Sequence, residues 1–382
     1  MQTYHRVFNR KFVLVFIGQF AFSAVLQLLL PTLPIYLKKL GSTEIEIGIL
    51  IGAFGAASVL LRPPVGKALV RLREKTLMMG GAVIYAVCSM AYVVVPPFWP
   101  LVSVRILQGA GFGLFATAAT TYVVRMSEAG NRARILAHFS VAMNLASAIG
   151  PPIGMVIADR FGFIPLFLVC TAVSLCTLFV LAALGNNPKP APQASIPHDS
   201  FLLSKTALPP SIIGFIAIFI WGSLNTFYPL YARSLGVANP GLFFSVMATM
   251  LILTRTFGSR ILDIPNRKIV IGSCIIITIA ALLILWLSRT QLMFLVAALL
   301  WGTGHGFLFP SLLTLALERS GSSAALVVAT VYAFSDGGLF LGPLAMGVVA
   351  QFVSYSAVFL SLSILSGMGL LYLAYFTRKT HE

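Results

Sequence analysis

Twelve long apolar segments recur along the chain, at approximately 11–37, 46–69, 76–96, 98–124, 135–158, 162–184, 209–232, 239–262, 268–287, 291–317, 323–351 and 355–376. A helix needs roughly 20 apolar residues to cross the hydrocarbon core of a bilayer, where only helices and closed barrels satisfy their own backbone hydrogen bonds. The runs are long and uninterrupted, without the alternation of a barrel strand, so the pattern predicts an all-α integral membrane fold of twelve transmembrane helices. Between the sixth and seventh segments lies GNNPKPAPQASIPHDSFLLSKTALPP, polar and Pro-rich with no hydrophobic period. It reads as a linker over 185–208 that divides a six-helix bundle at 1–184 from a second at 209–382.

Composition narrows the class. Charged residues make up only 9% of the chain and hydrophobic ones 58%. A soluble domain carries roughly 25% charged residues to wet its surface, so this surface needs lipid around it. The 26 Lys+Arg against 10 Asp+Glu give a formal charge of +16. In a soluble protein that excess would point to nucleic acid, but these residues sit in short loops between apolar runs. There they report orientation.

Arg6, Arg10, Lys11, Arg71, Arg73, Lys75, Arg125, Arg132, Arg134, Arg267, Lys268, Arg378 and Lys379 fall on one face of the predicted topology, and only Lys38, Lys39, Arg160, Arg233 and Arg289 on the other. The positive-inside rule then puts both termini in the cytoplasm. The opening MQTYHRVFNRK lacks the small-residue cleavage site of a signal peptide, so the first helix is expected to stay in the mature protein. Cys88, Cys170, Cys176 and Cys274 lie in apolar segments without metal-ligand spacing and read as small buried hydrophobes. No metal or cofactor is expected.

The two halves repeat each other. Pro34-Ile-Tyr-Leu-Lys-Lys-Leu-Gly41 matches Pro229-Leu-Tyr-Ala-Arg-Ser-Leu-Gly236 at a separation of 195 residues. Arg62 pairs with Arg255, and Gly109-x-Gly111-x-Gly113 with Gly302-x-Gly304-x-Gly306, at 193; Gly150-Pro151 pairs with Gly342-Pro343 at 192. Chance Gly or Pro matches would scatter, whereas this drift is what small loop differences produce.

With these motifs in order, the sequence resembles the major facilitator superfamily, and within it the twelve-helix drug:proton antiporters. Arg105-Ile-Leu-Gln108-Gly109 is similar to the family's R-x-x-Q-G motif, Gly150-Pro151-Pro152-Ile153-Gly154 to its G-P-x-x-G antiporter motif, and Pro31-x-x-Pro34 to its first-helix motif. The loop after the second helix keeps Gly66, Arg71 and Lys75 of the family's G-x-x-x-D-R-x-G-R-K pattern, and Arg62 of the Arg-Pro that precedes it. It has Val70 at the acidic position and Arg73 at the second glycine. The matching loop of the second half, opened by Arg255, keeps an acid, so Asp263 is the candidate anchor of a conformational latch. The Gly150/Pro151/Gly154 and Gly342/Pro343 groups are read as bending points for alternating access.

A charge near the bilayer centre costs about 2.5–3.5 kcal/mol, so the few ionisable residues within spans are candidates for function. They are Asp336 for proton coupling, Arg105 as a fixed cation that can modulate a carboxylate or hold an anion, His305 one turn after Trp301, and Glu46 at the start of the second span. A structural hydrogen bond is the competing reading for Asp336 and His305, and a place at the membrane interface is the competing reading for Glu46. Uncharged polar residues form stripes on one helix face: Gln19, Ser23 and Gln27; Trp221, Asn225 and Tyr228; Asn144 and Ser147. The resemblance implies that the first, fourth, seventh and tenth helices line a central cavity, which makes these residues, with Gln108, Trp301 and His305, candidate substrate contacts. Helix–helix hydrogen bonding is their other use.

The expectation is a monomeric secondary transporter in a bacterial cytoplasmic membrane that exports a small amphipathic or zwitterionic organic molecule against protons. Uptake by symport or uniport on the same fold is the alternative. A lipid-acting membrane enzyme would need clustered catalytic groups, which the sequence lacks, and a non-transporting receptor would bind without moving its ligand. There is no GxxxxGK[ST] run for nucleotide hydrolysis.

Overall fold

The structure, a computed structural model, describes residues 10–69, 71–127, 132–185, 204–257, 267–318 and 324–378. The first six helices are α1 (Arg10–Lys39), α2 (Glu44–Ala68), α3 (Glu74–Val94), α4 (Trp99–Met126), α5 (Arg132–Arg160) and α6 (Phe163–Ala182). After a short 3-10 turn at Lys205–Ala207 come α7 (Leu208–Ser234), α8 (Gly241–Phe257), α9 (Arg267–Leu287), α10 (Gln291–Glu318), α11 (Ala324–Phe352) and α12 (Tyr355–Arg378). Eleven are long and apolar enough to cross a bilayer, and α8 is apolar over the shorter stretch Gly241–Thr254. Val70, Asp263, the side chain of Arg255 and most of the linker lie outside the described residues.

Local chemistry sets the helix ends. At the start of α2, Thr43 N donates to Glu46 Oε2 at 2.8 Å while Glu46 N donates to Thr43 Oγ1 at 3.3 Å, a reciprocal capping box. The repeated Leu-Gly pairs close α1 and α7 in the same way. Gly41 takes φ 88° and Gly236 φ 69°, conformations that a side chain would strain. Beside them Ser42 N donates to Leu37 O and Val237 N to Ala232 O, both at 3.0 Å. With the bonds of shorter sequence span, Gly41 N to Lys38 O and Gly236 N to Arg233 O, each end is a Schellman stop.

Backbone contacts gather the chain into two compact units, Met1–Tyr36 with Ala53–Ile196 and Leu37–Gly52 with Pro197–Glu382. In the first, α3 packs on α4 and α6, and α5 on α4 and α6. In the second, α7 packs chiefly on α11, α9 on α10 and α12, and α8 on α10.

The repeat is written into the packing. A Cβ on Gly109 would lie 2.2 Å from Phe54 O, and one on Gly302 2.8 Å from Met247 O. Phe54 and Met247 are themselves 193 residues apart, the spacing of the two glycines. Likewise Gly111 faces Gly81 O and Gly304 faces Cys274 O, at 3.1 and 3.0 Å from the added Cβ. Gly150 in α5 meets Gln27 of α1, and Gly342 in α11 meets Phe219 of α7, at the shared separation of 192. Equivalent glycines thus seat equivalent helix pairs backbone to backbone, where van der Waals packing holds helices that lipid does not drive together. This is a pseudo-symmetric pair of six-helix bundles.

The outward faces are apolar: Leu60, Phe179, Leu292 and Leu371 are among the most exposed side chains. Cys176 shares the exposed face of α6 with Leu175 and Phe179, which corrects the expectation that all four cysteines are buried; Cys88, Cys170 and Cys274 are. Small and apolar, a cysteine fits a lipid-facing position as well as a core one.

Candidate functional site

In the first unit the polar residues converge on α4. Arg105 is 3% exposed. Its Nη1 donates to Gln108 Oε1 at 2.7 Å, and its guanidinium carbon stands 4.6 Å from the centre of the Phe54 ring. The same Gln108 Oε1 accepts from Tyr92 Oη at 2.8 Å. A cation is therefore held inside the bundle by an amide oxygen and a ring face.

The stripe on α1 is buried, as its polarity requires away from lipid. Gln19 Nε2 donates to Ser23 Oγ at 2.9 Å. Gln27 Nε2 donates to Ser147 Oγ of α5 at 2.6 Å, against the turn where Gly150 and Gly154 close on Gln27 and Leu28. The Gly-Pro group of α5 and the polar stripe of α1 are thus one contact. Asn144, one turn before Ser147, is half-buried.

In the second unit Trp301 and His305 stack, ring centres 4.4 Å apart and 13° from parallel. Asn225 Nδ2 donates back to Trp221 O at 2.7 Å. Tyr228 sits among Phe243, Phe244 and Phe294 and donates to Pro240 O at 3.0 Å, so its hydroxyl ties α7 to the start of α8. Asp336 lies on α11 half-buried, with Oδ2 fully enclosed. Gly342 packs on Phe219 and Ser223 of α7, and Pro343 near Gly222.

Three of the amides named from sequence share a property. Gln27 Oε1, Gln108 Nε2 and Asn225 Oδ1 are buried without a hydrogen-bond partner among the described residues, while the other end of each amide is bonded. Leaving a buried polar atom unpaired costs about 1–3 kcal/mol, so such atoms mark places where something besides packing decides the residue.

Other named residues serve the helix ends. Glu46 completes the α2 cap. Arg62 is half-buried near the end of α2, Gly66 has open space around it and Arg71 is exposed.

One cluster was not anticipated. Glu74, 4% exposed, pairs with Arg125 of α4, and Arg125 Nη2 also reaches Leu69 O at 3.3 Å. Next to it Lys75 Nζ donates to Ala182 O and Leu184 O, each at 2.7 Å, and Tyr122 Oη to Gly185 O at 2.9 Å. Glu74 and Lys75 thereby tie the start of α3 to the ends of α4 and α6. In the sequence Arg125 counted only as an orientation charge, and Lys75 as one that also fits the loop motif. The signal was the lone acid among them.

A family model for the Major Facilitator Superfamily matches residues 15–335. The chain belongs to the major facilitator superfamily. It is accordingly an integral membrane transporter of small molecules, not an enzyme. It is 24% identical to a multi-drug resistance efflux pump PmrA homolog of Lactococcus lactis, covering 93% of this chain and 92% of that one. It is 21% identical to the quinolone resistance protein NorA of Staphylococcus aureus, covering 89% of each. Among solved structures, this superfamily member superposes on the nucleoside transporter NupG with a TM-score of 0.78 at 16% identity, over 96% of this chain and 99% of that one. It superposes on a POT family transporter with a TM-score of 0.79 at 14% identity, over 98% and 97%. These likenesses carry the fold.

Proposed function

We propose that this superfamily member exports a small amphipathic or zwitterionic organic molecule from the cytoplasm in exchange for protons, by alternating access of its two six-helix bundles. The efflux pumps among its relatives support the direction, and the R-x-x-Q-G and G-P-x-x-G groups agree with them. The observation that carries the substrate class is the set of half-bonded buried amides, Gln27, Gln108 and Asn225. In the first unit, with a buried guanidinium beside Gln108, the free ends of Gln27 and Gln108 offer an acceptor and a donor to a neutral or zwitterionic head group, and in the second unit Asn225 Oδ1 offers an acceptor.

Asp336 carries the coupling role in this reading. A carboxyl group inside a transmembrane helix is costly when charged, and binding and releasing a proton is the chemistry that such a position serves. The chain works as a monomer in a bacterial cytoplasmic membrane, with both termini inside.

The test is purified protein in liposomes with an imposed proton gradient and a panel of metabolites and lipophilic cations. Proton movement that depends on one compound and runs opposite to it is expected, and Asp336→Asn should abolish it while leaving insertion and folding intact. Gradient-driven flux that persists in Asp336→Asn removes the coupling role. Co-directional movement of compound and proton replaces export with uptake.

A further inference from the structure

Four helices of the second unit, α7, α9, α10 and α12, line a cavity of about 10 Å³. Its cause can be read from the repeat. In the first unit Tyr85 and Phe115 close on Phe22, ring centres 4.2 and 3.8 Å away, and fill the space between α1, α3 and α4. The glycine contacts fix the register between the units, because Gly81 and Cys274 are opposed by Gly111 and Gly304. Carried forward at the same spacing, Tyr85 corresponds to Thr278 and Phe115 to Leu308. Two rings have become a hydroxyl and an isobutyl group, and α7 offers Ile213 and Ala217 beside them. The missing ring volume is the cavity.

The same register sets Trp301 where the first unit has Gln108. Trp301 lines the cavity, is 1% exposed, and its Nε1 has no acceptor among the described residues. An indole N–H can only donate, and burying it unpaired is costly. The rest of the lining is apolar except for His305, Thr278 and Ser366. The Thr278 hydroxyl donates to Cys274 O at 2.8 Å and keeps lone pairs to accept. A void lined only by hydrocarbon stays dry, but this one has the room of a single water and several polar groups on its wall, the conditions under which a buried water is held.

We propose that the cavity binds one ordered water molecule, which accepts the Trp301 Nε1–H bond and donates to the hydroxyl oxygens of Thr278 and Ser366, beside the stacked His305. The second bundle thus carries an internal hydration site where the first has an aromatic core. The proposal does not depend on the direction or coupling of transport.

The test is nuclear magnetic resonance of the full chain in lipid nanodiscs, ¹⁵N-labelled at its 4 tryptophans. The Trp301 indole signal is assigned by Trp301→Phe or, if that variant does not fold, by elimination with Phe at Trp99, Trp221 and Trp286. A cross-relaxation peak between the Trp301 indole N–H and water is expected. It should vanish in Thr278→Tyr, which restores the ring of the first repeat, and weaken in Thr278→Val, which removes the acceptor without adding volume. An assigned Trp301 signal with no water peak would mean a dry gap, and one with peaks only to lipid methylenes an acyl chain. Either result overturns the site, as does a water peak that is undiminished in both Thr278 variants.

Discussion

Buried charge dominates at the scale of single residues. Arg105 and Glu74 are both nearly inaccessible, and each is held by named partners. Arg105 has Gln108 and the Phe54 face, and Glu74 has Arg125. Removing one member of a buried pair leaves the other uncompensated, at a cost of about 3 kcal/mol. Arg125→Ala should therefore lower stability by about that amount, read as a drop in thermal midpoint in detergent. The double variant Glu74→Gln with Arg125→Ala should recover part of it. Equal loss in single and double variants would show that the pair does not couple. The sequence marked Arg105 because an arginine inside an apolar run is conspicuous. It did not mark Tyr92, because a tyrosine in a membrane helix is ordinary and its bond to Gln108 depends on how α3 and α4 turn toward each other.

At the scale of helices, close approach decides which glycines matter. Gly109 lies where an added Cβ would meet Phe54 O at 2.2 Å, whereas Gly66 has nothing within 4 Å. Gly109→Ala must push α4 from α2 and should cost about 3 kcal/mol, at the upper end of overpacking penalties. Gly66→Ala removes a flexible residue from a helix interior and should stabilise by about 0.5–1 kcal/mol. Thermal midpoints of the two variants check both signs, and a destabilised Gly66→Ala would point to a packing role for that residue. From sequence the two were similar, each part of a motif. What separates them is the neighbour that each one faces.

At the scale of the whole molecule, the charge asymmetry of the loops makes a topological prediction. With native cysteines replaced, Arg160→Cys should be labelled in intact cells by a membrane-impermeant thiol reagent, and Arg71→Cys only after the membrane is opened. Both positions are exposed. The reverse pattern would invert the orientation, and with it the direction assigned to transport.

The hydrophobic pattern by itself determined that the chain crosses a membrane as twelve helices in two repeated halves. Segment length, backbone hydrogen bonding and a lipid solvent leave little else for such runs to do, and a repeat is visible in any sequence that keeps its turn and contact residues. The matching Leu-Gly pairs at Gly41 and Gly236 were visible as part of the repeat, and the structure makes them Schellman stops. Only the tertiary structure decided which polar residues meet. It joined Gln27 to Ser147, Gln108 to Tyr92 and Glu74 to Arg125, and it opened a cavity beside Trp301 where the other half is filled. Those outcomes turn on the rotation and spacing of packed helices, which depend on side chains distant in sequence and are set only when the helices close on one another.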